Sequence, residues 1–207
     1  MARIVSIQEG ADGIAKAMTD DGSLLRFRME YLPSEAVARL AGGPAESESE
    51  VLPIAAVEAA AACLAAEGAA LRLLARAEQH RSGLQAKLAA RKLPAAAITA
   101  ALDRLELSGS LSDPRYAQAW IAQRLRRHAE GPRSLAAALA ARGLDRDVVS
   151  TAVEEALSGE ARVELIAAAA ARLARREPDL SVVRERLFAL GWRSAEIREA
   201  LENLPGA

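Results

Sequence analysis

A chain of 207 residues, 51% apolar but only 3% aromatic, does not carry the side chains for one thick core, because Ala dominates its apolar half and buries little area per residue. Its sequence shows no continuous apolar run of about 18 residues, the length a membrane span needs, and its first residues, MARIVSIQEG, contain no apolar signal region, so a cytoplasmic protein is expected. The net charge of −1 is unevenly spread: residues 72–142 hold 13 Lys/Arg against 5 Asp/Glu, whereas 1–71 hold 5 against 11 and 143–207 hold 9 against 12. A cationic middle third points either to an anionic partner or to a solvated helical surface.

Residues 2–32 read as a small antiparallel meander. Residues 23–31 alternate, with Leu25, Phe27, Met29 and Tyr31 on one face and Arg26, Arg28 and Glu30 on the other, the period of a half-buried strand. Asp20-Asp21-Gly22 is a turn, and residues 13–19 form the strand that enters it. A sheet this small needs a helix to lean on. Pro33-Ser34-Glu35 starts a short helix to about Leu40, and residues 42–51, with the acidic run AESESE, read as a linker. The single Cys63, inside an Ala-rich run, reads as a small buried thiol.

From Pro53 onward the pattern is helical, and it repeats. The series Leu74, Leu84, Leu88, Leu93, Ile98, Leu102 becomes Leu125, Leu135, Leu139, Leu144, Val149, Val153 on adding 51. It becomes Leu173, Val183, Leu187, Trp192, Ile197, Leu201 on adding a further 48. The breaks fall in register too: Lys92-Leu93-Pro94, Gly143-Leu144-Asp145 and Gly191-Trp192-Arg193. The expected fold is mainly α, an array of three tandem three-helix repeats (52–107, 108–158 and 159–207) behind a small N-terminal β segment (1–41) and the linker 42–51. Stacked copies then cover apolar faces that one unit leaves open.

The organising stretch is 109–143. It predicts a helix with Asp113 as N-cap and Pro114 at its first position, running from about Arg115 to Ala129. A break at Gly131-Pro132 follows, then a second helix from Arg133 to Arg142 and a stop at Gly143. On the first helix Ala117, Ile121, Leu125 and His128 share a face, with Trp120 and Arg124 at its edges. The opposite side carries Arg115, Ala119, Gln123 and Arg126, with Arg127 and Tyr116 beside them and no acid until Glu130. Arg133 opens the next helix, where the dipole disfavours a cation. Tyr116, Trp120 and Trp192 read as packing anchors. His80 and His128 stand without further ligands at metal spacing, so no metal site is expected. No phosphate-cradling loop and no nucleophile beside a base is visible, so no catalytic residue and no cofactor are expected.

Three pieces of this chain carry a family likeness: G-S-L-S-D-P-R-Y-A (109–117), R-L-R-R-H-A-E-G-P-R-S-L (124–135) and A-A-R-G-L-D (140–145). Together they resemble the RecX family, bacterial regulators of the RecA recombinase in homologous recombination, DNA repair and the SOS response. The likeness extends over about residues 70–205. Ser110 stands where family members often carry an aromatic residue, and the third copy is acidic. The resemblance implies a non-enzymatic protein that binds RecA filaments on DNA, lies in their groove, and restrains ATP hydrolysis, strand exchange and co-protease activity. On it, Arg81, Lys87, Arg115, Arg126, Arg127 and Arg133 are expected to face the filament, pairing with protein carboxylates or DNA phosphates, and the protein is expected to be a monomer. The other readings of the same residues are a direct DNA-binding protein of helix-turn-helix type and a helical scaffold for an unrelated partner.

Overall fold

A computed structural model of the chain describes residues 2–10, 12–41 and 52–204, side chains at 39–41 excepted. The expected linker 42–51 lies outside the described residues. The described residues fall into two compact units, Met1–Leu111 and Ser112–Ala207.

The first unit opens with strands β1 (Ile4–Glu9), β2 (Ile14–Thr19) and β3 (Leu24–Arg28), an antiparallel meander in the order β1-β2-β3. Alternation sends Ala15, Ala17 and Phe27 inward, all fully buried, against Leu52, Val57 and Ala60. The third strand is shorter than the alternation suggests. It stops at Arg28, and Met29–Tyr31 make a tight 3-10 turn closed by Leu32 N donating to Met29 O at 3.0 Å. Helix α1 (Ser34–Ala41) follows.

The remaining nine described helices come in threes: α2 (Ile54–Leu74), α3 (Arg81–Ala89), α4 (Ala95–Leu107); α5 (Asp113–Leu125), α6 (Pro132–Ala140), α7 (Arg146–Ala156); α8 (Gly159–Ala174), α9 (Leu180–Ala189), α10 (Ser194–Glu202). Of the eighteen apolar positions in the repeat register, fourteen are buried and four, Leu74, Leu93, Leu125 and Leu173, partly so. The breaks also share a conformation. Lys92, Gly143 and Gly191 take left-handed φ values of 61°, 80° and 90°. At Gly143 and Gly191 the following amide reaches back five residues, Leu144 N to Leu139 O and Trp192 N to Leu187 O, the hydrogen-bond pattern that closes a helix on a left-handed residue.

Four boundaries in the stretch 109–143 differ from the sequence reading. The N-cap of α5 is Ser112, whose Oγ accepts from Arg115 N at 3.3 Å, with Asp113 and Pro114 inside the first turn. The helix also ends at Leu125 instead of Ala129. Pro132 supplies no N–H, and the Ala129 carbonyl is taken by the indole of Trp192, which donates Nε1–H to it at 3.0 Å. The following helix starts on Pro132 itself and closes at Ala140, ahead of Gly143.

Helix α2 holds no uninterrupted apolar run of 18 residues, because Glu58 and Glu67 divide it. It has 21 residues and a mean hydropathy of 1.6 over its most apolar window, long and apolar enough to span a bilayer by length and composition. Here it is the core helix of the first unit. Its Glu67 is 2% exposed and accepts from Arg28 Nε at 2.9 Å, from the Tyr31 hydroxyl at 2.8 Å and from Arg104 Nη1 at 3.3 Å. Arg104 Nε also donates to Glu30 at 2.6 Å. One buried carboxylate thus ties the sheet to two helices. Cys63 is buried on the same helix.

Burial first, and then the bond to Glu67, hold the Tyr31 phenol proton well above its ordinary value of 10.0. Burial likewise raises the Cys63 thiol above 9.0. Both groups have folded values above their unfolded ones. Their contribution is complete below the unfolded values and is lost as pH rises, because the unfolded chain releases these protons first. The urea midpoint of the first unit is therefore expected to fall progressively as pH rises above about 9, first through Cys63 and then through Tyr31. In Tyr31→Phe the midpoint starts lower and that fall is shallower. Equal slopes in the two proteins would contradict the assignment.

Candidate functional site

The cationic segment sits at the end of α5, and a seam inside the second unit holds it there. Gly131 N donates to Leu190 O at 2.8 Å and Arg133 N to Gly191 O at 3.2 Å. Gly131 and Gly191 meet so closely that a Cβ on Gly131 would lie 2.6 Å from the Gly191 carbonyl carbon. Trp192, fully buried, fills the space beneath. The chain therefore leaves α5 at Leu125, exposes Arg126, Arg127 and His128, and turns inward at Ala129 and Glu130.

Glu130 does not balance that charge. It is 6% exposed and turned inward, accepting from Arg124 Nε at 2.8 Å and from the Ser134 hydroxyl at 3.3 Å. The sequence reading takes Glu130 as the first acid after the cationic face, and the helical count that defines that face fails beyond Leu125, where the helix ends. Arg126 and Arg127 have no ion-pair partner among the described residues.

The other expected site residues are differently placed. Arg115 is exposed in the first turn of α5. Arg133 is exposed at the start of α6, with its guanidinium 5.0 Å from the centre of the Phe188 ring. That ring offers the cation its negative face, a partner inside the same unit that the sequence did not reveal. In the first unit Arg81 is half-buried and pairs with Asp103 at 2.6 Å and Glu106 at 2.5 Å, both on α4. Lys87 is exposed and donates to the side-chain oxygen of Gln79.

The aromatic residues of α5 serve packing. Trp120 is half-buried beneath Arg142, whose guanidinium lies 4.6 Å from its ring, and Tyr116 packs on the same core. His80 caps α3, its Nδ1 accepting from Gly83 N at 3.1 Å.

Comparison with known proteins points to one family. The family model for RecX, second three-helix domain, matches residues 112–153, the stretch that carries α5, α6 and most of α7. The chain is 47% identical over 135 residues to a regulatory protein RecX of Thermus thermophilus, a match covering 61% of this chain and 89% of that relative. It is 38% identical over 81 residues to the regulatory protein RecX of Mycobacterium avium, covering 39% and 47% of the two chains. The fold is similar to a crystal structure of a regulatory protein RecX, with a TM-score of 0.71, 18% identity, and 98% and 100% of the two chains covered. It is also similar to RecX from Lactobacillus salivarius, at a TM-score of 0.64 and 19% identity over 69% of this chain and 96% of the other. Three-helix repeats, a basic helix end between the first two helices of the middle repeat, and near-half identity along most of a relative's length place this chain in the RecX family of regulatory proteins.

Proposed function

We propose that the protein is a non-enzymatic, cytoplasmic regulator that binds RecA filaments on DNA and inhibits their ATPase, strand-exchange and co-protease activities. The observation that carries the reading is the pair Arg126 and Arg127, exposed together at a helix end whose position the seam fixes and whose nearest acid is spent on Arg124. Unpaired guanidiniums on a rigid support meet carboxylates or phosphates with little ordering cost. Arg115, exposed in the first turn of α5, and Arg133, which keeps its contact with Phe188, extend the cationic surface of the second unit. In the first, Lys87 contributes as a point charge, and Arg81 contributes less because two carboxylates already engage it. The segments 52–107, 108–158 and 159–207 act as the repeat units of the array. A protein docked across neighbouring recombinase subunits resists the movements that accompany ATP turnover.

Arg126→Glu/Arg127→Glu tests the pair. Both residues are exposed, so stability is expected to stay within about 0.5 kcal/mol. Affinity for RecA assembled on single-stranded DNA is expected to fall by about 10- to 100-fold at moderate salt, measured by fluorescence anisotropy of the labelled protein. Unchanged filament affinity in a folded double variant would remove these residues from the interface. Tight, sequence-specific binding to a duplex without any recombinase would favour a direct DNA-binding protein instead.

A further inference from the structure

The three repeats differ at one place where the register makes them equivalent. The shifts of 51 and 48 residues carry Glu67 to Gln118 and Ile166 on the first helix of each repeat. They carry Arg104 to Glu155 on the third helix and to Asn203, the residue that closes α10. In the first repeat this pair is bonded, and it is covered by Arg28 and Tyr31 from the end of β3 and the turn after it. In the second, Gln118 Nε2 donates to Glu155 at 2.8 Å and spans the two helices. In the third, Ile166 has replaced the polar partner, and a groove of about 270 Å³ opens between α8 and α10. Ile166, Ala167 and Ala200 line it, with Val163, 56% exposed, alongside.

We propose that this groove binds a segment of a partner protein that carries one large apolar side chain flanked by Lys or Arg. The equivalent position in the first repeat takes an aromatic side chain, Tyr31, with the cation Arg28 three residues before it. In the third repeat the buried acid is gone from the floor, so the occupant needs no hydroxyl there. Acid stands on the rim instead: Glu196 and Glu199 occupy the positions of Ala97 and Ala100 in the first repeat. Arg162 pairs with Glu196, and the Glu199 carboxylate has no ion-pair partner among the described residues. A cation beside the apolar anchor complements Glu199, the rim acid that Arg162 does not engage, whereas a nucleic-acid phosphate would meet it with like charge. The volume lies below the roughly 300–1,000 Å³ of small-molecule clefts, which suits one side chain. The occupant is defined by its chemistry, so the inference does not depend on the RecA reading.

The test is methyl NMR of the full chain, titrated with the blocked tetrapeptide Lys-Phe-Leu-Arg and with Glu-Phe-Leu-Glu for comparison. The Val163 and Ile166 methyls are expected to shift saturably with the cationic peptide. Glu199→Lys, an exposed change that leaves the fold alone, is expected to weaken that binding at least about tenfold, and Ala167→Trp is expected to abolish it by filling the groove. Four results would overturn the proposal: still methyls at millimolar peptide, equal shifts with the acidic peptide, unchanged affinity in Glu199→Lys, or shifts of the same methyls on concentrating the protein alone, which would make a second copy the occupant.

Discussion

Glu67→Ala is expected to destabilise the first unit by about 3–5 kcal/mol, the cost of leaving buried charges without their partner. Glu67 is 2% exposed and receives Arg28, Tyr31 and Arg104. Removing it strands the Arg28 guanidinium and the Tyr31 phenol at the junction of the sheet with α2, and leaves Arg104 only its outer partner Glu30. Glu30→Ala removes only the outer partner of Arg104, a side chain 66% exposed, and is expected to cost no more than about 1 kcal/mol. Urea unfolding followed by hydrogen exchange at the β-strand amides measures both. Near-equal losses in the two variants would mean that the network is ordinary surface charge.

Gly191→Ala is expected to cost about 3 kcal/mol or more in the second unit, from two sources that add. A φ of 90° disfavours any Cβ by about 1–2 kcal/mol. The new Cβ would also lie 2.4 Å from the Ser134 backbone nitrogen, so the first turn of α6 must move and the bond from Arg133 N to Gly191 O is lost. Gly109→Ala separates the two sources. Its φ is 69° with nothing within 4 Å of the added Cβ, so about 1–2 kcal/mol is expected from conformation alone. Trp120 and Trp192 both lie in the second unit, so tryptophan fluorescence during urea unfolding reports the Gly191→Ala loss directly. Equal costs for the two substitutions would mean that the seam yields without strain. Because the seam fixes the chain after α5, Gly191→Ala is also expected to weaken any function carried by Arg126 and Arg127.

The fold was legible where periodicity alone decides it. Alternation marked the strand around Phe27, and the shifted Leu series marked the three-helix pattern, because buried positions must recur wherever a helix meets its neighbours. Local chemistry left smaller ambiguities. Ser112 and Asp113 can both cap a helix that has Pro114 in its first turn, and the serine does so. Read as a tally of charge and apolar run length, the Ala-rich stretch of α2 concealed a helix apolar enough for a membrane, because Glu58 and Glu67 interrupt it.

The candidate site was legible only in part. Arg126 and Arg127 were visible as cations on a face without acids. Whether a cation is engaged depends on residues far away in the chain, as with Arg81 on Asp103 and Glu106 or Arg133 on Phe188. An acid set among alanines in an apolar helix, Glu67, is the one signal that could have announced its buried network, since such a charge requires partners once it is buried.

The proposed docking on a RecA filament bears directly on ATP turnover. The most direct test is RecA's single-stranded-DNA-dependent ATP hydrolysis, titrated with the intact protein and with Arg126→Glu/Arg127→Glu. Filament docking would give inhibition at well below one molecule per recombinase subunit, with the double variant needing about 10- to 100-fold more protein for the same effect. Undiminished hydrolysis on intact cognate filaments at saturating protein would contradict it.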